Sequence, residues 1–392
     1  MITQNENHLP QALTDRNAMW WRNLRMCLFN SSLLFSFFFF FVIIQSQFYN
    51  YYSFNHIPDE VILSRSLYSI PDLTTKFPQI IFTPYYFTQY QFYPFYLRFF
   101  IKICASDSWF ALPIASLFQN LIVTASFYIM LSTCNIVNNP AKTTYIFSIY
   151  PFAFIIQRNI ALPGALCFSF ECLAFAFLKK KKIFLSSICC CCAILTSFQG
   201  FIISFSILTF LVFKKKIYYF LIVLFATSFA FLVLMAESEF LYKDRYAFIK
   251  ELKNEFFSTR LFESFKHIRE KRPLYYIFEI ILSYILPSLA GAIKLRSISL
   301  PHFLYCIYSL IFLISFKKDD IEYYVIGLAT FSVIIGFDEF LTWVLNLIPN
   351  SLIFIIVEIV IYFLAAHFLK YHAVEQKYVD YAMSLQSSLI SI

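Results

Sequence analysis

The chain has 392 residues, of which 60% are hydrophobic and only 14% are charged, and its formal net charge is +8. Soluble domains carry about 25% charged residues, so the composition excludes an ordinary soluble enzyme and indicates a polytopic integral membrane protein. The lysines cluster in short runs beside apolar segments, which argues against a nucleic-acid-binding surface. We therefore predict an all-α fold, a helical bundle of about nine to eleven membrane segments that include short hairpins.

The first apolar segment, Met26–Phe48, follows a polar N-terminal tail of residues 1–25. It carries no charge and is long enough to cross the roughly 30 Å hydrocarbon core of a bilayer. Because arginines precede it, we expect an uncleaved anchor with a cytoplasmic N-terminus. Residues 49–91 would then form a loop on the luminal side.

Two lysine runs predict how the middle of the chain folds. Lys179–Lys182 and Lys214–Lys216 flank apolar segments, so both should be cytoplasmic turns. The apolar residues 183–213 lie between the two runs and must form a hairpin, with its tip near Ser197–Gly200. The run Ile217–Ala236 then crosses again and leaves residues 237–273, which suit an interfacial amphipathic helix, on the luminal side.

An earlier hairpin is predicted from residues 143–156 and 161–178, with its tip at Gln157–Asn159. Arms of about 14 to 18 residues are too short to cross alone. The hairpin tips should therefore sink into the bundle and form a polar recess at the luminal surface. We expect residues 26–369 to form a single membrane domain and residues 370–392 to form a C-terminal tail.

An acidic pair just beyond the first apolar segment, Asp59-Glu60, is the first candidate for a catalytic site. A carboxylate at this place could act as the general base on an acceptor hydroxyl. The alternative is a solvated pair after Pro58 that caps a helix. His56 could donate a hydrogen bond to a substrate or bind a metal, although a lone loop histidine more often does neither.

Two arginines beside apolar segments are candidate ligands for a lipid phosphate. Arg158 stands at the tip of the earlier hairpin, and Arg98 follows a stretch of aromatic residues. The arginine fork can hold a phosphate through two hydrogen bonds. Both side chains could instead snorkel to the membrane interface. Gln199, at the tip of the second hairpin, would line the same recess and is a further candidate for binding substrate.

Polar side chains within the apolar segments also admit two interpretations. Glu171 and Glu279 are costly inside a membrane and therefore suggest a function, but each could simply pair with a neighbouring helix. The side chains of Cys189–Cys192 point in four directions around a helix, so they cannot converge on a metal ion. We therefore expect no metal site and predict that these cysteines are small, buried apolar filler of the core. The sequence lacks a Gly-rich phosphate loop and a Gly-x-Ser-x-Gly elbow, so we expect no bound cofactor.

Four stretches of the chain occur in the order found in a known family. They are Tyr90–Arg98, Phe147–Phe154, Ala193–Gly200 and the region Pro273–Leu304. Through them the chain resembles the GPI mannosyltransferase 2 (PIG-V type) family of GT-C glycosyltransferases, as a divergent member. Pro58-Asp59-Glu60 stands near the place of the family's Trp-Asp, so the resemblance implies Asp59 as the catalytic carboxylate. The family's Arg-Ser-Asn-Gly falls on Ser197–Gly200, without the arginine.

The resemblance implies a multi-pass enzyme of the endoplasmic reticulum membrane. It would transfer the second mannose from dolichol-phosphate mannose to a GPI lipid precursor on the luminal side, with inversion at the sugar carbon. Asp59, with Glu60 beside it, would take the acceptor proton, while Arg158 or Arg98 would steady the dolichyl phosphate leaving group. The expected partners are this donor, this acceptor, membrane lipids and a small accessory membrane subunit.

Two alternatives stay open. Pro58-Asp59-Glu60 also resembles the His-Pro-Asp-Glu motif of sister GT-C mannosyltransferases, which act later in GPI or N-glycan assembly; His56 is displaced by one residue from that pattern. From a different class, the chain could be a non-catalytic membrane subunit or a transporter that keeps the same fold.

Overall fold

The computed structural model describes residues 18–26, 28, 96, 99, 108–149, 164–197, 199–242, 246, 286–315, 332, 334–336 and 338–339. All regular secondary structure in these residues is helical, and no β-strand occurs among them. The all-α prediction is therefore confirmed for this part of the chain.

Eight helices are defined within the described residues, and we number them in chain order. They are α1 Ser108–Cys134, α2 Pro140–Ile149, α3 Gly164–Lys179, α4 Ile183–Thr196, α5 Gly200–Phe213, α6 Ile217–Tyr242, α7 Leu286–Ile298 and α8 Leu300–Ser315. Further helical residues occur at 18–26 and between 332 and 339.

The start of α2 shows how local sequence sets a helix boundary. Pro140 occupies the first helical position, where its missing N–H leaves no bond unmade. Asn139 precedes it, and the Asn139 side-chain oxygen accepts a hydrogen bond of 3.1 Å from the backbone N–H of Lys142. This is the N-cap arrangement that satisfies a free backbone donor in the first turn.

Helices α3 and α4 form an antiparallel hairpin. The Ser186 hydroxyl donates a hydrogen bond of 2.9 Å to the carbonyl oxygen of Ala174. Further along, the Cys167 thiol lies 3.5 Å from the carbonyl oxygen of Ala193. Residues move forward along α4 as their partners move backward along α3, so α4 returns along α3 from the lysine turn.

Helices α4 and α5 form a second hairpin, as predicted for residues 183–213. Ser197 adopts an extended conformation and ends α4. Gly200 then begins α5 against the backbone of Ala193 and Ile194, where any Cβ would collide. The predicted tip at Ser197–Gly200 is thereby confirmed. Each arm has 14 residues, or about 21 Å of helix, which is short of a bilayer core.

Helices α1 and α3 run parallel, with α2 returning between them. The Cys134 thiol lies 3.8 Å from the Phe175 carbonyl oxygen, and the rings of Phe127 and Phe168 are 6.0 Å apart. Phe147 of α2 stacks on Phe127 at 4.3 Å between ring centroids. These rings belong to the principal buried core.

Helix α8 packs antiparallel to α3. His302, near its start, stacks on Phe175 at 4.0 Å, and Tyr305, one turn later, reaches Glu171. On another side, the hydroxyls of Tyr308 and Thr209 of α5 are 2.7 Å apart. Helix α8 therefore joins α3 to α5.

Helix α7 extends past the uninterrupted apolar run that ends at Ile293. Lys294 and Arg296 both lie in its last turns. Cations at that place face the negative end of the helix dipole, which stabilises the extra turn.

Glycines bring α7 into backbone contact with the helical residues near 336. A Cβ on Gly291 would collide with the backbone of Ser332, and one on Gly336 would collide with the backbone of Pro287. The hydroxyls of Ser288 and Ser332 lie 2.9 Å apart at the same crossing. Small residues that allow helices to approach this closely are typical of membrane bundles.

Helix α6 is long and apolar enough to cross a membrane over Ile217–Ala236, the range predicted for that segment, and it alone meets this test among the described helices. One side of the helix carries large apolar side chains that face outward: Ile217 and Tyr218 are each 72% exposed and Phe225 is 75% exposed. A soluble core helix would be mostly buried. An exposed apolar face of this extent is typical of surfaces that contact lipid or a partner protein.

Candidate functional site

Most of the predicted site residues lie outside the described part of the chain. These residues are His56, Asp59, Glu60, Arg98 and Arg158. Their roles as base and phosphate ligands stay predictions. Glu279 likewise lies outside the described residues.

Gln199 is the predicted site residue that the structure describes. It stands at the tip between α4 and α5 and is partly exposed. Its backbone N–H points to the Ser197 hydroxyl at 3.4 Å, and the Gly200 N–H donates to the Ser197 carbonyl oxygen at 2.9 Å. The tip is thus a turn held by local hydrogen bonds, with the Gln199 amide at its surface.

The tip lies at the opposite end of the hairpins from the lysine turns. Lys182 precedes α4 and Lys214 follows α5, so the full length of both helices separates these lysines from Gln199. The predicted separation of a lysine-rich end from a polar tip therefore holds for this hairpin.

A buried carboxylate, Glu171, is the centre of the most enclosed polar cluster in the described residues. It is 4% exposed. The Tyr305 hydroxyl donates a hydrogen bond of 2.6 Å to one carboxylate oxygen, and the Cys167 thiol lies 3.9 Å from the other. Hydrogen bonds offset part of the cost of removing a carboxyl group from water.

This geometry matches the second interpretation of Glu171. Both oxygens face donors from the protein, one of them on a different helix. Glu171 therefore pairs with a neighbouring helix, and this contact holds α3 against α8.

His302 lies one turn from Tyr305 and extends the same polar cluster. Its ring is 2% exposed and stacks on Phe175. Its Nδ1 atom lies 2.7 Å from the hydroxyl of Ser299, which precedes α8. The contact fixes the ring at the helix start. Sequence reasoning did not assign His302 a role, although a histidine beside Pro301 at the head of an apolar run signals a polar contact there.

A second polar cluster, which the sequence reasoning missed, is centred on Asp338. One Asp338 oxygen lies 3.3 Å from the Lys142 ammonium nitrogen, and the other accepts a hydrogen bond of 3.0 Å from the Thr143 hydroxyl. Asp338 is 7% exposed, so the pair is largely screened from water. The signal in the sequence is the pair Asp338-Glu339 inside an apolar run, where charge is costly and marks a specific contact.

Lys294 of α7 forms an ion pair with Glu339 beside this cluster. Lys294 lies beyond the apolar part of α7, and partial burial lowers its pKa from the ordinary value of 10.5, while the Asp338 carboxylate opposes the shift. The two ion pairs tie α2 and α7 to the helical residues near 338. This cluster stabilises the bundle at the end where α7 finishes.

Within the described residues, no three His, Cys, Asp or Glu side chains are grouped so that they could hold a metal ion. The cysteine run divides by burial: Cys189 and Cys190 are buried, whereas Cys191 and Cys192 are partly exposed, and all four are free thiols. The apolar-filler interpretation is confirmed for the first two.

The polar clusters around Glu171 and Asp338 hold helices together. At the tip between α4 and α5, away from the lysine turns, the polar residue Gln199 is partly exposed. Comparison of the chain with protein-family models and with curated proteins found no match.

Proposed function

We propose that the chain is a multi-pass membrane glycosyltransferase of the endoplasmic reticulum. It transfers the second mannose from dolichol-phosphate mannose to a GPI precursor at the luminal surface. The observation that carries the proposal is the α4–α5 hairpin, whose lysine turns and polar tip lie at opposite ends. Positive residues favour the cytoplasmic side, so in this proposal Gln199 faces the luminal side, where the substrates meet.

The exposed apolar face of α6 supports the membrane part of this proposal. A helix that is mostly outward-facing and carries large apolar side chains is stable against lipid and not against water. The short arms of the α4–α5 hairpin support a recess in the membrane surface. At about 21 Å they end below the headgroups on one side, so the polar tip requires a water-filled depression.

In the proposed reaction, the Asp59 carboxylate takes the proton of the acceptor hydroxyl as this oxygen attacks the sugar carbon of the donor. The bond from that carbon to the dolichyl phosphate oxygen breaks, and Arg158 or Arg98 stabilises the departing phosphate. Gln199 contributes a neutral donor and acceptor at the rim of the recess.

The decisive experiment is complementation of a cell that lacks the second GPI mannose. Asp59→Asn should abolish growth rescue at unchanged expression because the amide cannot accept the proton. Asp72→Asn is the matched control, since Asp72 also follows a proline in the same segment, and it should rescue growth. Rescue by Asp59→Asn would remove this residue from the mechanism.

Topology is tested separately with glycosylation tags. Tags at residues 70, 158 and 250 should be glycosylated, whereas a tag at residue 181 should not. Glycosylation at 181 together with any of the others would place the lysine turn on the same side as the proposed site and end the proposal.

The non-catalytic alternatives are separated by the lipid precursors that accumulate in a deletion strain. Loss of the proposed enzyme stops the pathway at one mannose. A spread of precursors, or none, would favour a subunit or a transporter.

A further inference from the structure

The two lysine turns have the same backbone conformation. In the first, the N–H groups of residues 180, 181 and 182 bond to the carbonyl oxygens of residues 176, 178 and 177. In the second, residues 214, 215 and 216 bond to residues 210, 212 and 211 in the same pattern. Lys181 and Lys215 occupy equivalent positions, with φ of 59° and 52°.

This left-handed conformation at the end of a helix is normally taken by glycine, because a Cβ is strained there. Neither turn uses glycine, and both use lysine at the strained residue. A glycine would fold the same turn more easily. The lysines at these two positions therefore carry a charge at some cost in backbone strain.

The helices bring both turns to the same end of the bundle. Helix α4 leaves the first turn and α6 leaves the second, and the tip end of α4 packs against the later part of α6 through Ile194, Ala230 and Leu234. The two helices thus run in the same direction from a common end. Seven lysines, Lys179–Lys182 and Lys214–Lys216, are exposed there, and we call them the lysine face.

The lysine face contrasts with the other lysines of the bundle. Lys142 and Lys294 form ion pairs with Asp338 and Glu339. In the part of the chain that the structure describes, no salt bridge joins an acid to any of the seven. Their charges are directed outward from the bundle.

The outward apolar side chains of α6 begin directly after this face, at Ile217 and Tyr218. A tyrosine followed by exposed aliphatic and aromatic residues is typical of the boundary between headgroups and hydrocarbon. In a bilayer, this pattern would place the lysines one to three residues earlier, Lys214–Lys216, at the depth of lipid headgroups.

We propose that the lysine face binds the headgroups of anionic phospholipids in the leaflet where α6 begins. The partner is the acidic lipid itself, held by several ammonium groups from two turns. This goes beyond the mannose-transfer proposal. It rests on the membrane location proposed for α6 and not on the catalytic step, because the lysine face lies at the other end of the hairpins from Gln199.

Each basic residue at a membrane surface adds about fivefold to the affinity for an acidic leaflet, and salt weakens the interaction. Loss of several charges should therefore reduce anionic-lipid binding by at least about tenfold. The effect should be strongest at low ionic strength.

The test uses the full chain, purified in a neutral detergent and titrated with short-chain phosphatidylserine, phosphatidylcholine or inorganic phosphate. The wild type should bind phosphatidylserine selectively, and the melting temperature should rise with it. A variant with all seven lysines changed to Gln should lose this response, while the variant with seven Arg should keep it. Equal binding of phosphatidylserine by the Gln variant, or equal binding of inorganic phosphate by the wild type, would overturn the proposal.

A second variant tests the same lysines with both turns retained. Lys181→Gly combined with Lys215→Gly retains both turns, relieves the strained backbone and removes two charges. Its melting temperature without lipid should rise, while its affinity for phosphatidylserine should fall by at least about tenfold. A rise in stability without any loss of affinity would show that these lysines do not bind lipid.

Discussion

Tyr305 donates a 2.6 Å hydrogen bond to Glu171 across the contact between α3 and α8, and both side chains are buried. The hydroxyl and the carboxylate come from helices more than 130 positions apart in sequence. Since neither group reaches water, each depends on the other as a hydrogen-bond partner. The pair therefore fixes how the last described long helix docks on the hairpins.

Tyr305→Phe removes the donor and leaves the Glu171 carboxyl group short of a partner. Unfolding in detergent should show a loss of about 1–3 kcal/mol, the range for an unsatisfied buried polar group. Tyr308→Phe is the matched control, because that hydroxyl meets the partly exposed Thr209 and should cost less. In a double-mutant cycle with Glu171→Gln, the two changes should be non-additive. Additive effects would contradict the coupling.

Gly291→Ala places a methyl group against the backbone of Ser332. Helix backbones cannot move aside as a flexible side chain can, so we expect a loss of about 1–3 kcal/mol, as for other overpacked sites. At an ordinary helix position the same change would be stabilising. Ala290→Ser, one residue earlier on an exposed position, should change stability by less than about 0.5 kcal/mol. A stabilised Gly291→Ala protein would rule out the close crossing.

Ser186 and Ser187 offer a matched pair on α4. The Ser186 hydroxyl bonds to Ala174 of α3, whereas the Ser187 hydroxyl bonds to Ile183 within its own helix. Ser186→Ala should cost about 0.5–1.5 kcal/mol, the net value of one hydrogen bond. Ser187→Ala should be nearly neutral because alanine is the better helix former. Thermal unfolding of the two variants side by side would show the difference, and the reverse order would contradict the α3–α4 register.

Asp338→Ala should destabilise the fold by about 1–3 kcal/mol, because Lys142 and Thr143 lose a shared buried acceptor. Lys294→Met should be much less harmful. Burial already disfavours the Lys294 charge, and its partner Glu339 is half exposed and can be hydrated. Denaturant unfolding of both variants would rank them. A larger loss for Lys294→Met would show that the Lys294–Glu339 pair contributes more to stability than the contacts of Asp338 with α2.

The hairpins could be read from the sequence because their determinants are local. The lysine runs and the Ser197–Gly200 break stand at fixed places along the chain, and the structure has turns at each of them. The apolar range of α6 was readable for the same reason, since length and composition alone define it.

The polar contacts between distant segments could not be read in this way. Glu171 was recognisable as unusual, but its partner Tyr305 was one of many tyrosines in a chain with 27 of them. The partner of Asp338 could not be predicted, because a contact with a residue as distant in sequence as Lys142 produces no periodic pattern. The close backbone contacts of Gly200, Gly291 and Gly336 also depend on which segments meet, which the sequence does not reveal.

The outward face of α6 has a practical consequence for handling the protein. Phe225, Phe229 and Leu232 project from the surface at more than half of their full exposure. In buffer without detergent, these side chains would contact the apolar face of a second molecule, and the protein would aggregate. An amphiphile should therefore accompany the chain from extraction onward, and its removal should precipitate a protein that is still folded.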